Sequence, residues 1–286
     1  MKFLILIFCV VVFNIFTADL IIFSYNRPLQ LYSYLESIEN NVTGLEKIIV
    51  IFRTDQEYEA AYKQVKLKFT NIIYQKQVYS QDFKPLLNQA INNTGKYIIF
   101  GVDDIVVRDK INLESCQQML ESTKAYGFYF RLGKNINYCY NLNCPARQPK
   151  LNLINENTYL FSFSEGSGDW AYPNSLDMVL LRTSSVKGIF LNLNYSSPNQ
   201  LESAWSSMSN KKQNGLCPKI SAIVNLPLNI VSDFKNKHLN SYRSKDFLKK
   251  FNEGYKLDIA DISNQIPNSP HMNYIPKLIK KNNYIS

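Results

Sequence analysis

The chain is 286 residues long, 45% hydrophobic and 19% charged, and its 32 basic against 23 acidic side chains leave a net charge of +9. That is enough apolar material for one large domain or two small ones, and it excludes a disordered or fibrous chain. The positive balance favours anionic partners such as sugar nucleotides, nucleic acid or a membrane surface, but the basic residues are scattered, with no face of interleaved aromatics, which argues against nucleic acid.

Residues 1–18 carry one charge, at Lys2, and an unbroken apolar run from Phe3 to Phe13. A run of that size matches the core of a signal peptide and is short for a membrane span. We expect a leader over 1–18 that makes the protein secreted or membrane-associated. An uncleaved anchor or a buried first segment is the alternative, because the first domain strand opens almost at once, at Leu20.

The run over 20–23 is apolar and turns through Ser24, Tyr25, Asn26 and Arg27 into a helix that Pro28 opens, with Leu31, Leu35 and Ile38 on one face. The alternation then repeats: strand 47–52, helix 56–69, strand 71–74, helix 83–92, strand 97–100. Strands separated by helices of this length imply right-handed β-α-β units and a parallel sheet. The last of these strands stops at Gly101 and is followed by two adjacent carboxylates, Asp103 and Asp104. Ligands of open α/β sheets bind at the carboxyl ends of strands, and paired carboxylates hold divalent cations; a solvated turn or helix cap explains such a pair equally well.

The run Val102, Asp103, Asp104, Ile105, Val106 resembles the acidic signature of glycosyltransferases of the GT-A fold, with Asp-Asp in place of the spaced form. The run Ser24, Tyr25, Asn26, Arg27 is similar to the opening of family 2 within that fold, and the two occur in the family's order. The resemblance covers residues 19–205 and weakens beyond. It implies a GT-A-like (Rossmann-like) three-layer α/β/α sandwich with a mostly parallel central sheet. It also implies a nucleotide-sugar donor lying against Ser24, Tyr25, Asn26, Arg27 and Asp103, and a divalent metal, Mn²⁺ or Mg²⁺, at Asp103 and Asp104. After the second strand the family presents an acid to the base; here Asp55 either fills that role or caps the next helix.

Further on, a helix is expected over 112–125 and a strand over 128–132, then an insertion over 133–165 with a hairpin at 158–162. The insertion either shapes an acceptor groove or is a plain surface excursion. It holds Cys139 and Cys144, which are close enough to pair in an oxidising compartment or to remain isolated thiols. From Gly166 a second constellation follows: Gly168, Asp169 and Trp170 look like an acceptor-side loop on which a sugar ring stacks, the alternative for Trp170 being a core aromatic beside a turn. Asp177, just before an apolar strand, is a second-rank catalytic candidate.

Pro198, Leu201 and Glu202 predict the head of a helix with a carboxylate in its first turn, where the dipole favours the ionised form. Glu202 resembles the general base of inverting GT-A enzymes; a capping glutamate is the plainer reading. A strand over 220–225, a break at Pro227 and a helix over 244–252 complete the domain, which is expected to span 19–262, with 263–286 a polar, loosely ordered tail. Of the two histidines, His238 and His271, either serves as a late metal ligand or lies on the surface. The whole reads as a metal-dependent, inverting glycosyltransferase with an unknown sugar, lipid or protein acceptor. A non-catalytic, secreted carbohydrate-binding protein on the same fold is the rival.

Overall fold

The computed structural model describes residues 17–231 and 242–281. Most of the expected leader, and His238, lie outside the described residues; Ala18 is already part of the first strand. Among the described residues no helix is long and apolar enough to cross a membrane.

The first strand, β1 (Ala18–Tyr25), reads as an unbroken apolar run because both faces of the sheet are covered. Leu20 and Ile22 pack on one side with Val50, Phe52 and Ile99, while Ile21 and Phe23 pack on the other with Ile49, Ile51 and Phe100. The next elements are α1 (Pro28–Asn41), β2 (Leu45–Arg53), α2 (Glu59–Lys68), β3 (Ile73–Lys76), α3 (Phe83–Asn92), β4 (Tyr97–Val102) and β5 (Ile105–Val107). They are followed by α4 (Leu113–Thr123), β6 (Gly127–Tyr129), β7 (Asn152–Asn155), β8 (Thr158–Ser162), β9 (Val179–Arg182), α5 (Thr183–Asn192) and α6 (Pro198–Ser207). The last are β10 (Asn214–Pro218), β11 (Ile223–Asn225), α7 (Ser244–Asn252), β12 (Tyr255–Leu257) and β13 (Leu278–Lys280).

Among the described residues nine strands form one sheet in the order β7-β8-β10-β6-β9-β4-β1-β2-β3. The strands β4, β1, β2 and β3 are parallel; β9 runs antiparallel between β4 and β6, and β8 runs antiparallel to β10 and β7. All the others point one way, so the sheet is mostly parallel. Side chains of α1, α2, α4 and α7 (Leu31, Tyr62, Leu120, Phe251) cover one face. Those of α3, α5 and α6 (Leu87, Phe190, Trp205) cover the other. This is a three-layer α/β/α sandwich with a mostly parallel central sheet, as expected.

Three expectations change. The stretch 133–165 is not simply an insertion, because β7 and β8 form a hairpin that extends the main sheet. Its docking strand β10, Asn-Gly-Leu-Cys-Pro, is too short and too rich in Gly and Pro to show as a period. The strand expected over 220–225 shrinks to β11 and leaves the main sheet to pair with β5. The C-terminal stretch is no loose tail: Asn137 and Tyr138 donate their N–H groups to the Asn268 carbonyl, Asn225 donates to Pro270, and β13 pairs with β12. Its lysines hid this, since their ammonium groups lie over rings, as Lys281 does 3.5 Å from the Phe251 centroid.

Gly101 is the last residue but one of β4, where the buried Tyr34 comes close. A Cβ there would overlap the Tyr34 hydroxyl and sit 3.1 Å from its Cζ. That hydroxyl has no hydrogen-bond partner. Gly101→Ala is therefore expected to cost ~1–3 kcal/mol by overpacking. Tyr34→Phe alone should be close to neutral, since it removes an unpaired buried group, and added to Gly101→Ala it should restore part of the loss; urea unfolding of the three variants measures this.

Candidate active site

Asp103 and Asp104 occupy the turn between β4 and β5, at the carboxyl end of a central strand. Asp103 does not face solvent; it is 4% exposed. Its Oδ2 accepts from Ser24 Oγ (2.9 Å) and the Tyr25 N–H (3.1 Å), and its Oδ1 accepts from Arg27 Nη1 (3.0 Å). One carboxylate thus fastens the loop after β1 to the turn after β4. Arg27 Nη1 also reaches Asp104 Oδ2 at 3.4 Å. The rest of the guanidinium is held by Asn229, whose Oδ1 accepts from Nε (3.0 Å) and whose carbonyl accepts from Nη2. Burial alone would weaken the arginine's charge, and the two carboxylates more than offset it, so it holds its proton above the ordinary value.

Asp104 is placed differently. Its Oδ1 is buried with no partner, and burial pushes its carboxyl up to about 6, Arg27 opposing and Asp103 and Asp177 adding to the shift. Asn225 of β11 donates from Nδ2 to Asp177 Oδ1 (2.9 Å), and its backbone bridges to His271. His271 bears on the Asp104 carboxylate, stacks on Tyr140 (centroids 6.1 Å apart), and leaves a buried Nδ1 without a partner. Met178, next to Asp177, lies in the left-handed region at φ 46, and its N–H donates to Phe100 O (2.8 Å).

Glu202 belongs to the same group of acids, but not as a first-turn residue. The head of α6 is capped by Ser197, which accepts from Gln200 N–H at 3.3 Å, and no acid occupies the first turn. Glu202 lies further along the helix, accepts the Leu176 N–H (2.9 Å), and is pushed up to about 7 by burial and then by the negative charge of Asp177. The neutral form is favoured, opposite to the dipole expectation. Asp177 therefore stands electrostatically between Asp104 and Glu202.

The Gly166 constellation forms a wall of the core rather than a sugar platform. Trp170 is fully buried, donates from Nε1 to Ile136 O (3.1 Å) and meets Phe161 edge to face at 5.0 Å. Gly168 (φ 58) packs on Cys139, where a Cβ would come within 2.9 Å of that residue's own Cβ. Asp169 pairs with the buried Arg131 at 3.3 Å. A Trp beside glycines reads identically whether the ring points out or in, and here the ring is in, with its Nε1 bonded to the Ile136 carbonyl.

Asp55 does not cap a helix with its side chain. Its Oδ2 accepts from Asn26 Nδ2 (2.7 Å) while its own N–H donates to Asn26 Oδ1 (2.9 Å), which holds Asn26 at φ 52. Tyr25, Asn26 and Asp55 line a cleft of about 520 Å³ together with Tyr58, Arg243 and Ser244. Ser244 Oγ donates to Asn26 O (2.7 Å), joining α7 to this loop. Asn225, Asn229, Tyr34 and Ser244 were not singled out from the sequence. The one available signal was a pair of asparagines, 225 and 229, inside an otherwise apolar run, where burial demands partners. Among the described residues no group of three or more His, Cys, Asp or Glu side chains is gathered as a metal site.

No protein-family model matches the chain. It is 27% identical over 190 residues to the bifunctional glycosyltransferase pgtA of Dictyostelium discoideum, a match covering 59% of this chain and 24% of that protein. The chain thus spans about a quarter of that relative's length. Among solved structures, S. aureus TarS 1-349 in complex with UDP overlaps with a TM-score of 0.43 at 13% identity, covering 72% of this chain and 58% of that one. A 4-diphosphocytidyl-2C-methyl-D-erythritol synthase from Anaerococcus prevotii overlaps at 0.40 and 11% identity, covering 77% and 92%. Overlaps this loose transfer no residue roles. The likeness to glycosyltransferases read from the two acidic and polar runs is matched by the sequence relative.

Asp103→Ala should cost ~3–5 kcal/mol, because it leaves Arg27 buried without its main counter-charge, whereas Asp104→Asn should cost far less; thermal unfolding compares them. A carboxyl that titrates higher folded than unfolded binds its proton more tightly in the folded state. Its contribution to stability is therefore present at low pH and lost as pH rises through the folded value. With Asp104 at about 6 and Glu202 at about 7, stability should fall between the ordinary carboxylate range and neutrality, by at most ~1.4 kcal/mol per pH unit for each group. Glu202→Gln should flatten the upper part of that slope.

Proposed function

We propose that the protein is a glycosyltransferase that moves a sugar from a nucleoside-diphosphate sugar to an acceptor hydroxyl, with inversion at the anomeric carbon. The observation that carries this reading is the bond set of Asp103, which joins the Ser24–Arg27 run and the acidic turn into one site although they lie far apart in the chain. The similarity to pgtA, named as a glycosyltransferase, supports the same reading.

In this reading the cleft beside Tyr25, Asn26 and Asp55 takes the nucleoside, and the diphosphate lies toward Asp104. Asp104 Oδ1 and His271 Nδ1, both buried and unpartnered, fit the chemistry of a Mn²⁺ or Mg²⁺ ion, which binds through one or two protein groups and completes its shell with phosphate and water. Such an ion, when bound, supplies positive charge to the leaving diphosphate. Asp103 is a positioning residue: its carboxylate is committed to the loop and to Arg27. Glu202 accepts the proton of the acceptor hydroxyl. A base with its pKa near 7 is half ionised at neutral pH yet basic enough to pull that proton in the transition state. Asp177, fixed by Asn225, raises the basicity of Glu202 and is not itself the base.

The Arg27 bridge across both carboxylates also suits the rival, a binding protein that keeps the cleft without turnover. Activity separates the two. With UDP-sugars and Mn²⁺, the wild-type chain should release UDP, and Glu202→Gln should slow release ~10²–10⁴-fold while UDP affinity is retained. The rate should rise as pH passes about 7, where Glu202 loses its proton. A retained anomeric configuration in the NMR spectrum of the product would remove Glu202 from its role, and no release with any sugar nucleotide would favour the binding protein.

A further inference from the structure

Cys139 and Cys144 face each other across a two-stranded antiparallel ladder formed by Tyr138–Cys139 and Cys144–Pro145. Both are free thiols. Directly opposed residues of such a ladder have Cα atoms about 4.5–5.5 Å apart. That lies within the roughly 4.4–6.8 Å that a disulfide spans, so a bond between them needs no backbone movement. The hairpin is fixed independently of the thiols. Asn143, at φ 51, donates its N–H to Tyr140 O (3.2 Å), Tyr138 Oη donates to Asn143 Oδ1 (3.1 Å), and the Tyr138 N–H is anchored on Asn268 O (3.0 Å). The pair is also asymmetric: Cys144 is exposed, whereas Cys139 is 5% exposed and packs on Gly168.

We infer that Cys139 and Cys144 form a reversible disulfide that ties the 138–145 hairpin shut beneath the turn carrying Asp169. The exposed Cys144 reacts first. Its thiolate attacks one sulfur of a small disulfide such as oxidised glutathione, the glutathione S–S bond breaks, and one glutathione thiolate leaves and takes up a proton. Cys139, deprotonated, then attacks Cys144 Sγ; the mixed disulfide breaks and the second glutathione leaves as its thiol. Two cysteines are oxidised and one glutathione disulfide is reduced to two thiols. Burial, and then Asp169, hold the Cys139 thiol above its ordinary range, consistent with Cys139 as the second, intramolecular partner. The hairpin backs Gly168, and the neighbouring Asp169–Arg131 pair belongs to the wall that bears on Glu202. The bond therefore braces that wall, and the inference does not depend on the transferase reading.

The test uses the full chain, incubated with oxidised glutathione, alkylated under denaturing conditions and mapped by peptide mass spectrometry. Cys139 and Cys144 should be recovered linked to each other with the loss of two hydrogens, while the buried Cys116 and Cys217 are alkylated. The oxidised chain should unfold at higher urea than the reduced one. In Cys144→Ser, a surface change that leaves the core intact, the link should vanish and Cys139 should be recovered alkylated. A stable glutathione adduct on Cys144 with Cys139 alkylated, or either residue linked to a different cysteine, would overturn the inference.

Discussion

Two neighbouring carboxylates with little solvent repel each other unless a positive charge is brought to them, and in this protein the chain brings its own. Arg27 Nη1 lies within reach of both Asp103 and Asp104, and its remaining nitrogens are spent on Asn229. A buried arginine that is only charge-paired gains little over an apolar replacement; one whose donors are also satisfied is held in place. The geometry of the loop after β1 follows. Ser24 and Tyr25 bond to the same carboxylate, Asn26 takes a left-handed conformation against Asp55, and the cleft beside them is the result.

That arrangement divides one acidic pair into two unlike groups. Asp103 has every oxygen in use and a full counter-charge, while Asp104 keeps an unpartnered oxygen and a carboxyl pushed up to about 6. The same division recurs one step further out, where Asp177 is bound to Asn225 and Glu202 is pushed up to about 7. Environments that differ in this way are how a single cleft holds one acid bonded in place as an anchor and another free to exchange a proton near neutral pH. Unlike a catalytic dyad, the acids here are spaced by a relay of electrostatic influence, with Asp177 acting on both neighbours.

The first half of the fold was legible because its strands are buried on both faces and its helices are amphipathic, so that 20–23, 47–52 and 97–100 announce themselves as apolar runs between turns. The second half was not. Strand β10 contains Gly and Pro, β13 is only three residues long and flanked by lysines, and β7 is exposed along its whole length. The site was legible where residues were adjacent in sequence, as at Ser24–Arg27 and Asp103–Asp104. It was illegible where a role depends on which way a side chain turns or where a helix starts: Trp170 turned into the core, and Glu202 lies beyond the first turn because Ser197 caps the helix. Asn225 and Asn229 stand out only as polar residues in an apolar run, and nothing local names the distant partners that make them anchors.

Those asparagines show how far the early signatures are from being a site on their own. The resemblance to the family fades after Trp205, yet Arg27 relies on Asn229, Asp177 on Asn225, Asn26 on Ser244, and the late histidine arrives at 271. Without the stretch 225–271, Arg27 Nε and Nη2 would be buried with no acceptors. Each charged donor left so costs about as much as a charge-assisted hydrogen bond contributes, ~1.5–3 kcal/mol. Because Arg27 in turn holds Asp103, that cost would pass to the loop at Ser24. The β-α-β half supplies the acids and the polar run, but it is the returning chain, crossing over the carboxyl ends of β1 and β4, that makes their burial affordable and so makes them a site.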